Sequence, residues 1–137
     1  MIGTTILRRT PRSPLLNAAH RSISSTAPRA QRFLIYASDK TEEGILARRF
    51  QVRPQHLERI HTFIKNGTFR DGGLIFDPES QPDSGKVAAT GSCMILEAET
   101  LADAKELVES DIYYTSGVWD PEKLVIVPFI PATLPRA

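Results

Sequence analysis

Lys86-Val87-Ala88-Ala89-Thr90-Gly91-Ser92-Cys93-Met94-Ile95-Leu96-Glu97-Ala98 is the longest strand-like stretch of the chain, and its two faces decide the fold. Side chains alternate across a strand, so Val87, Ala89, Gly91, Cys93 and Ile95 share one side. Ala88, Thr90, Ser92, Met94 and Leu96 share the other, and neither side is polar enough to face water. An antiparallel sheet with helices on one face ordinarily leaves its other face wet. The remaining sequence holds only two main helical patterns, enough for one face. The economical cover for the second is another subunit, so a homodimer packed through the sheet face is expected.

Upstream, Thr68 to Phe76 reads as a second strand in which Gly72-Gly73 marks a bulge or a close backbone approach. Asp77 to Gly85 is a polar loop turning at Asp83-Ser84-Gly85. Arg32 to Ser38 is dense in β-formers and apolar on both faces, a buried first strand. Thr41 is expected to cap a short helix with Glu42 and Glu43 in its first turn, running through Ile45, Leu46 and Phe50. Proline disfavours a helical residue before it, so a break is expected at Arg53 and a fresh helix from Pro54 to Lys65. That helix places Leu57, Ile60, His61 and Ile64 on one stripe and stops at Asn66-Gly67. Downstream, Thr100 with Asp103 forms a capping-box pattern, and Leu101, Ala104, Leu107 and Val108 form the buried stripe of another helix. Tyr113 to Gly117 reads as a loop. Val118-Trp119 and Leu124 to Phe129 supply the last strand material around Asp120-Pro121. The order is βαββαβ, an α+β, ferredoxin-like arrangement with an antiparallel sheet.

Arg53-Pro54-Gln55-His56 is the segment most suggestive of chemistry. With Pro54 at a helix start, His56 sits in the first turn, where amide dipoles hold imidazole neutral and ready to accept a proton. Asp111 falls near the end of the last helix, where a carboxylate meets the negative pole; a local turn or a partner such as His56 accounts for it. Arg53 suits an anionic group, and Ser92 offers a hydroxyl. His61, on the stripe, is expected to pack. Cys93 reads as a small core residue, and one cysteine permits neither an internal disulfide nor a multi-cysteine metal site. No glycine-rich phosphate loop is present. A metal site would have to draw His20 from the N-terminal segment, so neither metal nor cofactor is expected.

Composition divides the chain. Residues 1–30 hold five arginines, many Ser and Thr, and no Asp or Glu; the first acidic residue is Asp39. Ile6, Leu7, Leu15 and Leu16 interleave with the arginines, as in an amphipathic mitochondrial transit peptide, which predicts import into the matrix. Setting that segment aside leaves 12 basic against 16 acidic residues, a net charge of about −4 and a poor grip for phosphate backbones. An RNA-recognition module shares the element order but stacks bases on sheet aromatics, and Lys86 to Leu96 has none. No apolar run is long enough to span a bilayer, so neither nucleic acid nor membrane is an expected partner. The expected organisation is a transit segment 1–30, one domain 31–130 and an irregular tail 131–137.

Several ordered pieces carry a family resemblance: Ile35-Tyr36-Ala37-Ser38-Asp39-Lys40, Val52-Arg53-Pro54-Gln55-His56-Leu57, Gly91-Ser92, Glu99-Thr100-Leu101-Ala102-Asp103-Ala104, Asp111-Ile112-Tyr113, Gly117-Val118 and Val127-Pro128-Phe129. In order and spacing, residues 32–130 resemble the YciI-like, or YCII-related, family. The resemblance implies a dimeric α+β barrel with a histidine–aspartate pocket: His56 is the histidine, Asp111 the aspartate carried over, and Asp39 its competitor. Ser92, in the Gly-Ser pair, is implied as a pocket hydroxyl. Ile112 departs from the family's Asp-Pro-Tyr. Two functions are expected from these residues. One is a small cofactor-free lyase, isomerase or dehydrochlorinase acting on a small metabolite. The other is a non-catalytic ligand-binding or interaction module with the same pocket.

Overall fold

Ala37, Ile35 and Phe33 alternate inward along the first strand, β1 (Gln31–Ser38), and are essentially sealed from solvent. The computed structural model describes residues 29–80 and 87–132. Most of the expected transit segment, the Asp83-Ser84-Gly85 turn, Lys86 and residues 133–137 of the tail lie outside the described residues. β1 is followed by α1 (Ile45–Asn66), β2 (Phe69–Phe76), β3 (Ala89–Ala98), α2 (Leu101–Glu109), the short α3 (Ile112–Thr115), a 3-10 turn (Pro121–Lys123) and β4 (Val125–Phe129). The sheet order is β2-β3-β1-β4, with every neighbouring pair antiparallel. This is the expected ferredoxin-like α+β architecture.

Register sorts the two faces. Phe33 pairs with Leu96, Ile35 with Met94 and Ala37 with Ser92, which puts all six beneath the helices. The opposite face carries Leu34 against Ile95 and Tyr36 against Cys93, continued on β4 by Val127 and Val125. Tyr36, Val125 and Val127 are 44%, 43% and 41% exposed, an apolar face open to water in the single chain.

The largest departure from expectation is α1. Two helices meeting at Arg53 were expected; one helix runs from Ile45 to Asn66 with Pro54 inside it. An interior proline loses a hydrogen bond and crowds the preceding turn, at about 3 kcal/mol. Pro54 lies on the exposed side, where an unpaired carbonyl can meet water, while the opposite side buries Ile45, Arg49, His56 and Ile60. Val52 and Phe63 pack beside them. One continuous buried stripe outweighs the local penalty, as tertiary packing commonly does. The stripe is rotated from the expected one, so His61 is exposed and Ile64 is 52% exposed. The start also moves: Gly44, at φ 85°, precedes Ile45 without a side-chain cap, so Thr41 does not cap this helix. Gly67, at φ 82°, closes it.

Smaller corrections follow from pairing. β3 begins at Ala89, opposite Phe76 at the end of β2, and just before it the Asp77 N–H donates to the Ala88 carbonyl at 2.9 Å. In β2 the register shifts between Phe69 and Asp71. Beyond it, Gly72 lies so near β3 that a Cβ would sit 2.6 Å from the Cys93 carbonyl oxygen. Tyr113 to Gly117 is not all loop: Ile112–Thr115 makes a helical turn capped by Asp111. The Thr100–Asp103 capping box forms as expected.

Candidate functional site

Continuity of α1 creates the site, because it stacks Arg49, Arg53 and His56 along one side of a single helix. They face β2 and β3 across a cavity of about 220 Å3 whose far wall includes Gly72, Leu74 and Ser92. Tyr113, from α3, closes one side.

His56 is buried, and its Nδ1 lies 2.9 and 3.0 Å from the two carboxylate oxygens of Asp111. A carboxylate only accepts, so the hydrogen between them is on Nδ1, and in the neutral ring Nε2 is then the acceptor. Asp111 is held in turn. It caps α3, its Oδ1 accepting from the Tyr113 backbone N–H at 2.9 Å. Behind it, Arg59 Nε stands 3.9 Å from Oδ2. The Arg59 guanidinium also donates to the Leu107 carbonyl and the Ser110 hydroxyl, tying α1 to the end of α2. The imidazole stacks on the Tyr113 ring, 4.0 Å between centroids and 19° between planes, with Trp119 edge-on at 5.9 Å.

A second buried cluster adjoins the first. Arg49 donates to Asp39 Oδ1 at 2.6 Å and to Ser92 Oγ at 2.9 Å, and its guanidinium lies 4.5 Å from the Tyr113 centroid. Burial pushes the Asp39 carboxyl above its ordinary pKa while Arg49 pulls it back. Burial likewise raises the Tyr113 phenol, opposed by Arg49 and Arg53. Because Asp39 is engaged by Arg49, the aspartate beside His56 is Asp111. Ser92 lines the cavity, and no described residue accepts its hydroxyl hydrogen. Arg53 lines the cavity, exposed, without an ion pair to a described residue.

The expected reason for a neutral His56 does not hold. The residue lies three turns inside α1, far from its N-terminal amides, and the carboxylate of Asp111 sets its tautomer instead. Arg49, Arg59 and Tyr113 were not among the expected site residues. Arg49 precedes His56 by seven residues, two helical turns, and that spacing signals a shared face only when the helix is read through Pro54. Among the described residues, no group of three or more His, Cys, Asp or Glu is placed to hold a metal ion.

A model of the YCII-related domain matches residues 31–130. The chain belongs to the YCII-related domain family. Within that family it is 34% identical to Protein YciI of Escherichia coli over 97 residues, covering 71% of this chain and 94% of that protein. It is 33% identical to Fusaric acid biosynthesis protein 2 of Gibberella fujikuroi over 85 residues, covering 62% of this chain and 81% of the relative. Among solved structures, this YCII-related chain resembles 5-chloro-2-hydroxyhydroquinone dehydrochlorinase of Burkholderia phenoliruptrix, in complex with 2,5-dihydroxybenzoquinone, at a TM-score of 0.61 and 24% identity. That match covers 72% of this chain and 93% of the other, and it shows a shared fold.

Proposed function

We propose that this chain is a small cofactor-free enzyme that moves a proton on a small metabolite, with His56 as base and Asp111 as the group that orients it. The observation that carries this reading is the pairing of His56 Nδ1 with Asp111 at the wall of an open cavity. A positioned base of this kind contributes roughly 10²- to 10⁴-fold in rate. Asp111 would stabilise the imidazolium formed when Nε2 takes the proton. Loss of a leaving group from the neighbouring carbon then gives elimination, and return of the proton elsewhere gives isomerisation. Arg53 is placed to hold an anionic group and Ser92 to donate to an oxygen. The cavity volume lies under the roughly 300–1,000 Å3 of drug-sized sites, which suits a single ring. A relative named for fusaric acid biosynthesis and a fold neighbour named as a dehydrochlorinase support a small-molecule substrate.

The test is a thermal-shift screen of the full chain against small phenols, hydroxyquinones and oxo acids, followed by turnover assays on the hits. His56→Gln should lose turnover by roughly 10²- to 10⁴-fold while still binding the hit, and Asp111→Asn should lower kcat more than it raises KM. Wild-type turnover by His56→Gln would sink the proposal. Stabilising hits without turnover would instead support a non-catalytic binding module. We also propose that a second copy of the chain covers the apolar sheet face.

A further inference from the structure

We propose that the Tyr113 hydroxyl is the acid partner of His56, donating a hydrogen bond to the substrate oxygen that gains charge as Nε2 removes a proton. This rests on the reading of His56 as a base. It narrows the substrate to a small single-ring compound with an enolisable carbonyl or an ionisable hydroxyl.

The phenol is positioned but unused. Tyr113 is only 1% exposed and lines the His56 cavity. Its hydroxyl makes no hydrogen bond to a described residue. The cavity is the space this residue lines, beside His56. A ring needed only for packing would serve as well without its oxygen.

The surroundings hold the ring in place. It stacks on His56, meets Trp119 edge-on at 5.6 Å, and carries the Arg49 guanidinium 4.5 Å from its centroid. Asp111 Oδ1 receives both His56 Nδ1–H and the Tyr113 backbone N–H, so one carboxylate aligns the base and its neighbour. Burial raises the phenol above its ordinary pKa, with Arg49 and Arg53 opposing, so at neutral pH it is an O–H donor. Arg49 over the ring and Arg53 on the cavity wall favour negative charge on an oxygen held there.

The step balances without an oxidant or reductant. Nε2 takes the hydrogen of a C–H next to a carbonyl, that bond's electron pair forms a carbon–carbon double bond, and the carbonyl π pair moves onto oxygen. The Tyr113 hydroxyl shares its hydrogen with that oxygen. Reprotonation at another carbon, or expulsion of a leaving group as the carbonyl reforms, completes isomerisation or elimination.

Two probes separate this proposal from the reading it rests on. The first is 4-nitrophenolate, an anionic single ring whose visible absorbance reports hydrogen bonding to its oxygen. The full chain should bind it with a shifted band, and Tyr113→Phe should bind roughly tenfold or more weakly without the shift, as for a lost hydrogen bond to a charged group. The second is deuterium wash-in from solvent at the α-carbons of 1,2-cyclohexanedione, followed by proton NMR. His56→Gln should reduce it to the uncatalysed rate and Tyr113→Phe should slow it at least roughly tenfold. If Tyr113→Phe matches wild type on both probes while His56→Gln still blocks exchange, the Tyr113 proposal fails and the base stands. If His56→Gln exchanges like wild type, the base fails and with it the role of Tyr113 as its acid partner, whatever 4-nitrophenolate shows. Wild type that does not bind 4-nitrophenolate overturns the Tyr113 proposal. Should Tyr113→Phe not fold, 3-fluorotyrosine at position 113, a more acidic donor, should tighten 4-nitrophenolate binding, and unchanged affinity would overturn the proposal.

Discussion

Asp111 does three things with two oxygens: it caps α3, receives His56 Nδ1–H and sits in front of Arg59. Replacing it with alanine should cost more than an ordinary cap. About 1 kcal/mol belongs to the cap and about 1–3 kcal/mol to the imidazole N–H left buried without a partner. Urea denaturation should therefore show a loss of about 2–4 kcal/mol for Asp111→Ala, and a loss within 1 kcal/mol would mean that the pairing contributes little. Asp39 makes a pH-dependent prediction. Its pKa in the fold is raised above the ordinary 3.8, chiefly by burial, so the folded chain holds that proton more readily than the unfolded chain. Its contribution to stability is full below the unfolded value and is lost as pH rises through the raised one. The stability of wild type relative to Asp39→Asn should thus be most favourable below the ordinary 3.8 and decline as pH rises above it. A wild-type advantage that grows with pH would show that attraction to Arg49 outweighs burial.

At the scale of the element, α1 tolerates a proline because its buried side is continuous. The side that packs runs Ile45, Arg49, Val52, His56, Ile60 and Phe63, and Pro54 is turned away from it. Removing the ring should relieve the helix. Pro54→Ala is expected to stabilise the chain by about 2–2.6 kcal/mol, the helix gain of about 3 kcal/mol being reduced by about 0.4–1 kcal/mol of added unfolded-state entropy. A thermal midpoint that rises by several degrees is the expected result. A falling midpoint would show that the proline sets a bend the packing needs.

At the scale of the molecule, the sheet is finished on one face and open on the other. Leu34, Tyr36, Ile95, Val125 and Val127 form a continuous apolar surface with no cover among the described residues. If a second copy covers it, sedimentation should give twice the 15.2 kDa chain mass, and Val127→Glu should return it to the mass of one chain. A wild-type mass of one chain at all accessible concentrations would sink the dimer proposal. Residues 1–30, proposed as an import segment, should carry a fused reporter into isolated mitochondria, and replacing Arg8, Arg9 and Arg12 with Gln should abolish import. A reporter left outside would count against that role.

Local pattern in the chain was enough for the element order, the antiparallel βαββαβ class, the Thr100 cap and the two apolar faces of β3. Each depends on residues a few positions apart, where alternation, capping chemistry and turn residues act directly. Matching motifs also singled out His56, Asp111, Arg53 and Ser92, and the fold places His56, Arg53 and Ser92 on one cavity with Asp111 against the imidazole. The tertiary structure decided what local rules could not. A proline rule that holds for isolated helices was overridden by burial along α1, and with it fell the first-turn account of His56 and the view that hid Arg49. Which carboxylate meets the imidazole was settled by a contact between residues 55 positions apart, and the engagement of Asp39 by Arg49 excluded the competitor. Strand alternation and helix caps are written in neighbouring residues. A buried pair forms only where separate elements are packed together, so its partners follow from the assembled fold.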